Sequence, residues 1–168
     1  MNRPDDFPYL PKDFIETAEG LIFAVVSYGP QAGKVGCFLR YVKSGSGWQK
    51  IATEAANRLL AKQYPHYLYH SERYDAEFHA VNVVDIIEHH QPEQRLATLL
   101  QAEACDEIVQ RLQRLLPILV QYGVDYDTLG ITGSLLIGCQ KSTSDIDLVV
   151  YGREAFHQVR STVQLALD

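Results

Sequence analysis

The chain has 168 residues, of which 46% are hydrophobic and 21% are charged, an ordinary composition for a globular protein. Its formal net charge is −6, and residues 1–90 carry 9 Lys/Arg against 11 Asp/Glu while residues 91–168 carry 6 against 10. The chain therefore lacks the basic footprint of a protein that binds a long nucleic acid, and no apolar run reaches the roughly 18 residues of a membrane-spanning helix.

The three cysteines are odd in number and far apart in the sequence: Cys37, Cys105 and Cys139. This spacing argues against a disulfide framework and favours a reducing compartment. We therefore expect a cytoplasmic protein in which the cysteines are small core residues.

The first part of the chain is predicted to be a small α+β module over residues 1–91. Residues 21–28 and 35–42 are rich in β-branched and aromatic residues and flank a Gly/Pro-containing loop, which predicts a hairpin. The alternating aromatic segment 67–81 predicts a second hairpin.

Two helices are expected in the same module. Thr53 can cap a helix that runs to Gln63 and ends before Tyr64-Pro65. A short helix is expected over residues 83–89, capped by Asn82. Because adjacent helical residues point about 100° apart, the pair His89-His90 would not converge on a metal, and we expect ordinary surface histidines.

From Pro92 to Gly123 the pattern predicts a helical connector over residues 92–123. Apolar residues fall on one face of a helix: Ile108, Val109, Leu112, Leu115, Leu116, Leu119 and Val120. Pro117 is expected to kink or divide this helix, and Gly123 to terminate it.

Residues 124–168 alternate between strand and helix patterns. Strands are expected at 129–132 and 146–151, with a short helical stretch after Ser134 and a last helix from Arg153. This alternation predicts βαβ-type packing, in which helices cover a sheet.

Two carboxylates mark the candidate site. Asp145 and Asp147 stand two residues apart on a predicted strand, so both should project from one face, while Ile146, Leu148 and Val150 face a core. Two adjacent carboxylates repel each other unless a cation lies between them. Mg²⁺ is the natural candidate because it binds one or two carboxylates together with substrate phosphates.

A phosphate-binding element is expected next to these carboxylates. Gly133-Ser134 lies between a predicted strand and a predicted helix, where glycine lets the backbone approach a phosphate. Free N–H groups at a helix start and the serine hydroxyl could then bind the anion.

Together, Gly133-Ser134, a ten-residue spacer and Asp145-Ile146-Asp147-Leu148 resemble the signature of the DNA polymerase β-type nucleotidyltransferase superfamily. The longer pattern is similar to that of uncharacterised nucleotidyltransferase-like proteins of archaea and other prokaryotes. Thr132 departs from the hydrophobic residue usual before the glycine, and the arginine that many relatives place after Gly-Ser is absent.

The resemblance implies an α+β fold whose C-terminal part is a nucleotidyltransferase-type mixed sheet with flanking helices. It implies that Asp145 and Asp147 bind Mg²⁺ in a two-metal site, and that Gly133 and Ser134 contact a nucleoside triphosphate. The implied activity is Mg²⁺-dependent transfer of a nucleotidyl group to a hydroxyl acceptor.

The superfamily also uses a third carboxylate on a later strand, for which residues 151–168 leave no room. The core over residues 124–168 is therefore expected to be incomplete, and Asp168 is not assigned as a ligand. The alternative is a non-catalytic protein that keeps the scaffold to bind a nucleotide or a partner, with homo-oligomers formed through an open sheet edge.

Overall fold

The computed structural model describes residues 3–103 and 106–167, which separate into two units, residues 3–90 and residues 91–167. The architecture is mixed α+β, with a large antiparallel sheet in the first unit and four helices over the whole described chain. Within the described residues, no helix is both long enough and apolar enough to cross a membrane.

The first unit is built on an antiparallel sheet with the strand order β5-β6-β3-β2-β1-β7 and with β4 paired to the end of β3. Its strands are β1 (Phe14–Thr17), β2 (Leu21–Val25), β3 (Lys34–Ser44), β4 (Gly47–Lys50), β5 (Leu68–Ser71), β6 (Ala76–Asn82) and β7 (Ile86–His90). Both predicted hairpins are confirmed, since β2 pairs with β3 and β5 pairs with β6.

Helix α1 (Thr53–Gln63) packs on this sheet through Ala56 and Leu60. The predicted span is confirmed, but Ala52 is the N-cap and Thr53 is the first helical residue. The core that α1 covers is formed by buried residues of β1, β2 and β3, among them Ile15, Phe23, Val35, Cys37 and Leu39.

The helix predicted over residues 83–89 is wrong. Residues Val83–Asp85 form one 3₁₀ turn, and β7 follows and pairs with β1, opposing Ile86 to Thr17 and His90 to Phe14. Strand β1 lies about 70 residues earlier in the chain, so the pairing that decides between helix and strand is not local.

The two histidines of β7 are also not ordinary surface residues. His89 Nε2 lies 2.8 Å from Oδ2 of the fully buried Asp13, and His90 Nε2 lies 3.4 Å from Glu16 Oε2. Both imidazoles are half-buried and each is paired with a carboxylate of β1 or the turn before it.

Of the three cysteines, Cys37 is a buried core residue, as predicted, and burial raises the pKa of its thiol well above the ordinary value. Cys139 is half-buried and is not disulfide-bonded. Cys105 lies outside the described residues.

The second unit contains α2 (Pro92–Gln101), α3 (Glu107–Gln121), β8 (Leu129–Thr132), β9 (Asp147–Val150) and α4 (Arg153–Leu167). Its core confirms the predicted face of α3, with Ile108, Val109, Leu112, Leu116 and Leu119 buried. Half-buried Ile146, Leu148 and Val150 pack against this core, also as predicted.

Helix α3 runs through Pro117, which was expected to kink or divide it. Pro117 is exposed, so the carbonyl that loses its helical N–H donor can bond to water. The predicted termination is confirmed: Gly123 has φ +86° and its N–H donates to the Val120 carbonyl.

The βαβ packing expected for residues 124–168 is not what forms. Strands β8 and β9 are antiparallel neighbours, and residues 133–146 join them. Because β8 pairs directly with β9, no crossover helix is needed between the two strands.

Candidate active site

The register of β8 and β9 brings the predicted site residues to one end of this two-stranded sheet. Thr132, the last residue of β8, pairs with Asp147, the first residue of β9, and Leu129 pairs with Val150 at the other end. The chain leaves β8 at Gly133, so Gly133 and Asp147 meet where the ladder ends.

Gly133 and Asp147 are in direct contact. Gly133 has φ +68°, a left-handed conformation that favours glycine. A Cβ at this residue would overlap Oδ2 of Asp147 and would lie 3.3 Å from Cγ of the same side chain. Only a residue without a side chain lets this carboxylate lie against the main chain of the loop.

Ser134 follows in a short turn and not in the helix that was expected. Gly133–Leu135 form one 3₁₀ turn, in which Leu136 N donates to Gly133 O at 3.2 Å. Cys139 N donates to Ser134 O at 3.0 Å. The dipole of a full helix is therefore not available at Ser134, and what remains is the half-buried serine beside a left-handed glycine.

Asp145 lies just before β9, because the strand begins at Asp147 and not at residue 146. The preceding turn is closed by Ser144, whose Oγ accepts from Lys141 N at 2.9 Å while its N–H donates to Lys141 O at 2.9 Å. Both Asp145 and Asp147 are exposed. Each carboxylate is therefore accessible to a cation from solvent.

Two further residues hold the loop 133–145 and were missed by the sequence reasoning. Arg95 of α2 donates from Nε to the carbonyl oxygen of Leu135 at 2.9 Å. Gln140 donates from Nε2 to Asp106 Oδ2 at 2.7 Å, and Asp106 Oδ1 caps α3 by accepting from Val109 N. No local sequence pattern marks either contact, since the partners lie 40 and 34 residues apart.

Helix α2 is held close to β8 by a second glycine. A Cβ at Gly130 would lie 2.7 Å from Pro92 Cβ and 3.0 Å from Glu93 N, so the helix start and the strand approach each other as only glycine permits. Tyr151, directly after β9, donates from its hydroxyl to Glu93 Oε2 at 3.0 Å. The first turn of α2 therefore packs on β8 at Gly130 and is hydrogen-bonded to Tyr151, both near the Leu129–Val150 end of the sheet.

The donor set fits one Mg²⁺ bound together with phosphates, because Asp145 and Asp147 supply the one or two carboxylates that such an ion uses. It does not by itself fit a two-metal centre. Across residues 3–103 and 106–167, no three His, Cys, Asp or Glu residues gather into a group that could hold a metal. Asp168 lies outside the described residues.

The chain is 31% identical to the uncharacterized protein MJ1086 of Methanocaldococcus jannaschii. The alignment covers 94% of this chain but 52% of that protein, so the chain spans about half the length of the curated relative it matches. No protein-family model matches the chain, and no solved structure matches it.

Proposed function

We propose that the second unit binds a Mg²⁺–nucleoside triphosphate at Gly133, Ser134, Asp145 and Asp147, and that this site serves nucleotidyl transfer to a hydroxyl acceptor. The observation that carries the proposal is the contact between the Gly133 main chain and the Asp147 carboxylate. The metal ligand Asp147 then lies against the loop that carries Ser134, so an ion held by this carboxylate would bring its phosphate next to the loop.

Each residue has a defined task in this proposal. Asp145 and Asp147 would hold the ion, which supplies positive charge to phosphate oxygens and orients them for attack. Gly133 leaves space for the Asp147 carboxylate beside the loop that carries Ser134. The Ser134 hydroxyl donates a hydrogen bond to a phosphate oxygen.

The reaction that we assign to the site is attack of an acceptor hydroxyl on the α-phosphorus, with pyrophosphate leaving. Strands β8 and β9 with α4 would form part of a nucleotidyltransferase-type core. This is consistent with the Gly-Ser to Asp-x-Asp spacing and with the exposed carboxylate of Asp147 against Gly133. The superfamily resemblance also implies a third metal-binding carboxylate. We therefore assign nucleotide binding to the described residues, and we assign transfer to the site when a third carboxylate completes it.

The test is calorimetric titration of ATP and of GTP, each with Mg²⁺ and with EDTA, into the wild-type chain and Asp145→Asn/Asp147→Asn. Binding should require Mg²⁺ and should weaken at least tenfold in the double variant, because the carboxylates are the ligands of the ion. Asp127→Asn is the matched control, since Asp127 is an exposed acid of the same unit on another turn. A folded wild-type chain that binds neither nucleotide contradicts the proposal.

A non-catalytic role is the second candidate, and the two-stranded β8–β9 sheet is the observation that favours it. Small sheets gain stability by adding strands, and a strand edge can pair with another chain. Incubation with α-³²P-labelled nucleoside triphosphates separates the two functions. Label transferred to an acceptor supports the enzyme, whereas Mg²⁺-dependent binding without transfer, in a chain that sediments as an oligomer, supports the binding protein.

A further inference from the structure

The loop 133–145 is held by a side chain from a distant helix. The Nε of Arg95 donates to Leu135 O at 2.9 Å, and Nη2 of the same guanidinium would lie 3.4 Å from a Cβ built on Gly138. We propose that Arg95 is a positioning residue for the nucleotide: it fixes the loop so that Gly133 and Ser134 stay beside Asp147. This inference rests on the function proposed above.

The start of the loop benefits from such a contact because the hydrogen bonds around its 3₁₀ turn are long. The 3₁₀ turn at Gly133–Leu135 is three residues long, and turns of this kind have poor hydrogen-bond geometry. The bonds from Leu136 N to Gly133 O and from Gly138 N to Leu135 O measure 3.2 and 3.4 Å. Gly133 and Gly138 also both have φ +68°, and ordering glycine costs more backbone entropy than ordering any other residue.

Arg95 can hold the loop because its own position is fixed. It lies one turn after Pro92, on the part of α2 that contacts Gly130 of β8 and that bonds Tyr151 through Glu93. The guanidinium therefore ties the loop to the sheet from which Asp147 projects. A hydrogen bond from a charged donor is also about twice as strong as a neutral one.

The hydrogen bond of Arg95 assigns it a positioning role. Leu135 O is at the carbonyl end of the 3₁₀ turn, whereas a phosphate would approach the opposite end, at Gly133 and Ser134. Arg95 thus acts on the nucleotide through the backbone of Leu135.

Gln113 provides a matched control in the same unit. Its Nε2 donates to the Leu99 and Ala102 carbonyls at 2.9 and 3.1 Å, so it holds the other end of α2 by the same kind of side-chain to backbone bond. Arg95→Met and Gln113→Met both keep an unbranched apolar stem and remove the donors. Arg95→Lys keeps a charged donor at the first position.

The experiment measures the Kd of Mg²⁺–ATP by calorimetry for these variants and the hydrogen exchange of the Leu136, Gly138 and Cys139 amides by NMR. We expect Arg95→Met to weaken binding about tenfold, the equivalent of losing one charge-assisted hydrogen bond, and to speed exchange in the loop. Arg95→Lys should recover most of the affinity. Gln113→Met should lower stability without changing Kd or the exchange of the loop.

The outcomes separate the two proposals. Wild-type binding that Arg95→Met leaves unchanged overturns the role of Arg95 and leaves the nucleotide site standing. Equal losses in Arg95→Met and Gln113→Met show a general structural effect and also overturn it. A folded wild-type chain that does not bind Mg²⁺–ATP overturns the proposed function, and this inference with it.

Discussion

His79 should make the first unit less stable as the pH falls below neutrality. It is a fully enclosed residue of β6, 2% exposed, and burial lowers the pKa of its imidazole from 6.5 to about 4. Leu39 N donates to His79 Nδ1 at 2.8 Å, so the proton of the neutral ring is on Nε2, which lies 2.8 Å from Asn57 Oδ1. A proton on Nδ1 would face the N–H of Leu39, so two hydrogen-bond donors would lie opposite each other in the core without an acceptor.

The size and sign of the effect follow from the two pKa values. Below pH 6.5 the His79 imidazole is mostly protonated in the unfolded chain, whereas in the folded chain it stays neutral down to about pH 4. The stabilising contribution is therefore complete above pH 6.5, declines as the pH falls and is lost at about pH 4. A shift of this size corresponds to about 2 kcal/mol lost between pH 7 and pH 5, and to about 3 kcal/mol in total.

Urea denaturation at pH 7 and pH 5 measures this loss, followed by fluorescence of Trp48, the single tryptophan and a residue of β4 in the first unit. His79→Asn removes the titrating group, so its free energy of unfolding should fall by about 2 kcal/mol less between the two pH values than that of the wild type. His157→Asn, on the exposed side of α4, should behave as the wild type. An NMR titration of His79 in the wild-type chain is the direct check, and a pKa near 6.5 would refute the reasoning.

Two further substitutions test the site and the first unit. Gly133→Ala should cost about 1–3 kcal/mol of stability through its left-handed backbone and should also displace Asp147, weakening Mg²⁺–nucleotide binding at least tenfold in calorimetry. Gly123→Ala imposes the same backbone strain at φ +86° beside a flexible glutamine tip and should leave Kd unchanged, so equal losses of affinity would contradict the role of Gly133. Asp13→Asn should destabilise the first unit by about 3 kcal/mol in urea titrations, because the guanidinium of Arg3, 2.9 Å away, loses its buried counter-charge. The exposed Asp5→Asn is its control, and a matching loss there would refute the assignment.

Elements with a strong local period were predictable from the sequence. The residues of α3 that recur on one helical face are the ones that the structure buries, and α1 has its predicted bounds. The β2–β3 hairpin was predictable for a similar reason, since its strands are close in sequence and a turn-forming loop joins them. In these segments the chemistry that decides the structure lies within a few residues.

The segment 86–90 shows where local reasoning fails. Its apolar and polar residues fit a short helix, yet it becomes β7 because β1 offers an edge with which Ile86 and His90 can pair. In this pairing His89 Nε2 lies within hydrogen-bond distance of the buried Asp13 carboxylate. Neither β1 nor Asp13 is near in sequence, so no window around residues 83–89 contains the deciding interaction.

The candidate site divides in the same way. The spacing of Gly133 and Asp147 predicted that they belong to one site, and their contact follows from a two-strand register that a short segment can specify. The tether from Arg95 depends on how α2 packs on β8. The sequence signals that packing only through Gly130, because a glycine inside a strand pattern indicates that another element approaches closely. It does not indicate which element approaches.

Gly130 and Gly133 therefore carry different information although they belong to the same four-residue stretch. At Gly130 the space of the missing Cβ is filled by the start of α2, and at Gly133 it is filled by the carboxylate of Asp147. Gly130 lets α2 pack closely on β8, and α2 places Arg95 against the carbonyl of Leu135. The same loop begins at Gly133, which contacts Asp147. The geometry of the stretch Gly130-Ile131-Thr132-Gly133 thus depends on a helix that precedes it in the chain, because α2 packs against Gly130 and its Arg95 holds the loop that begins at Gly133.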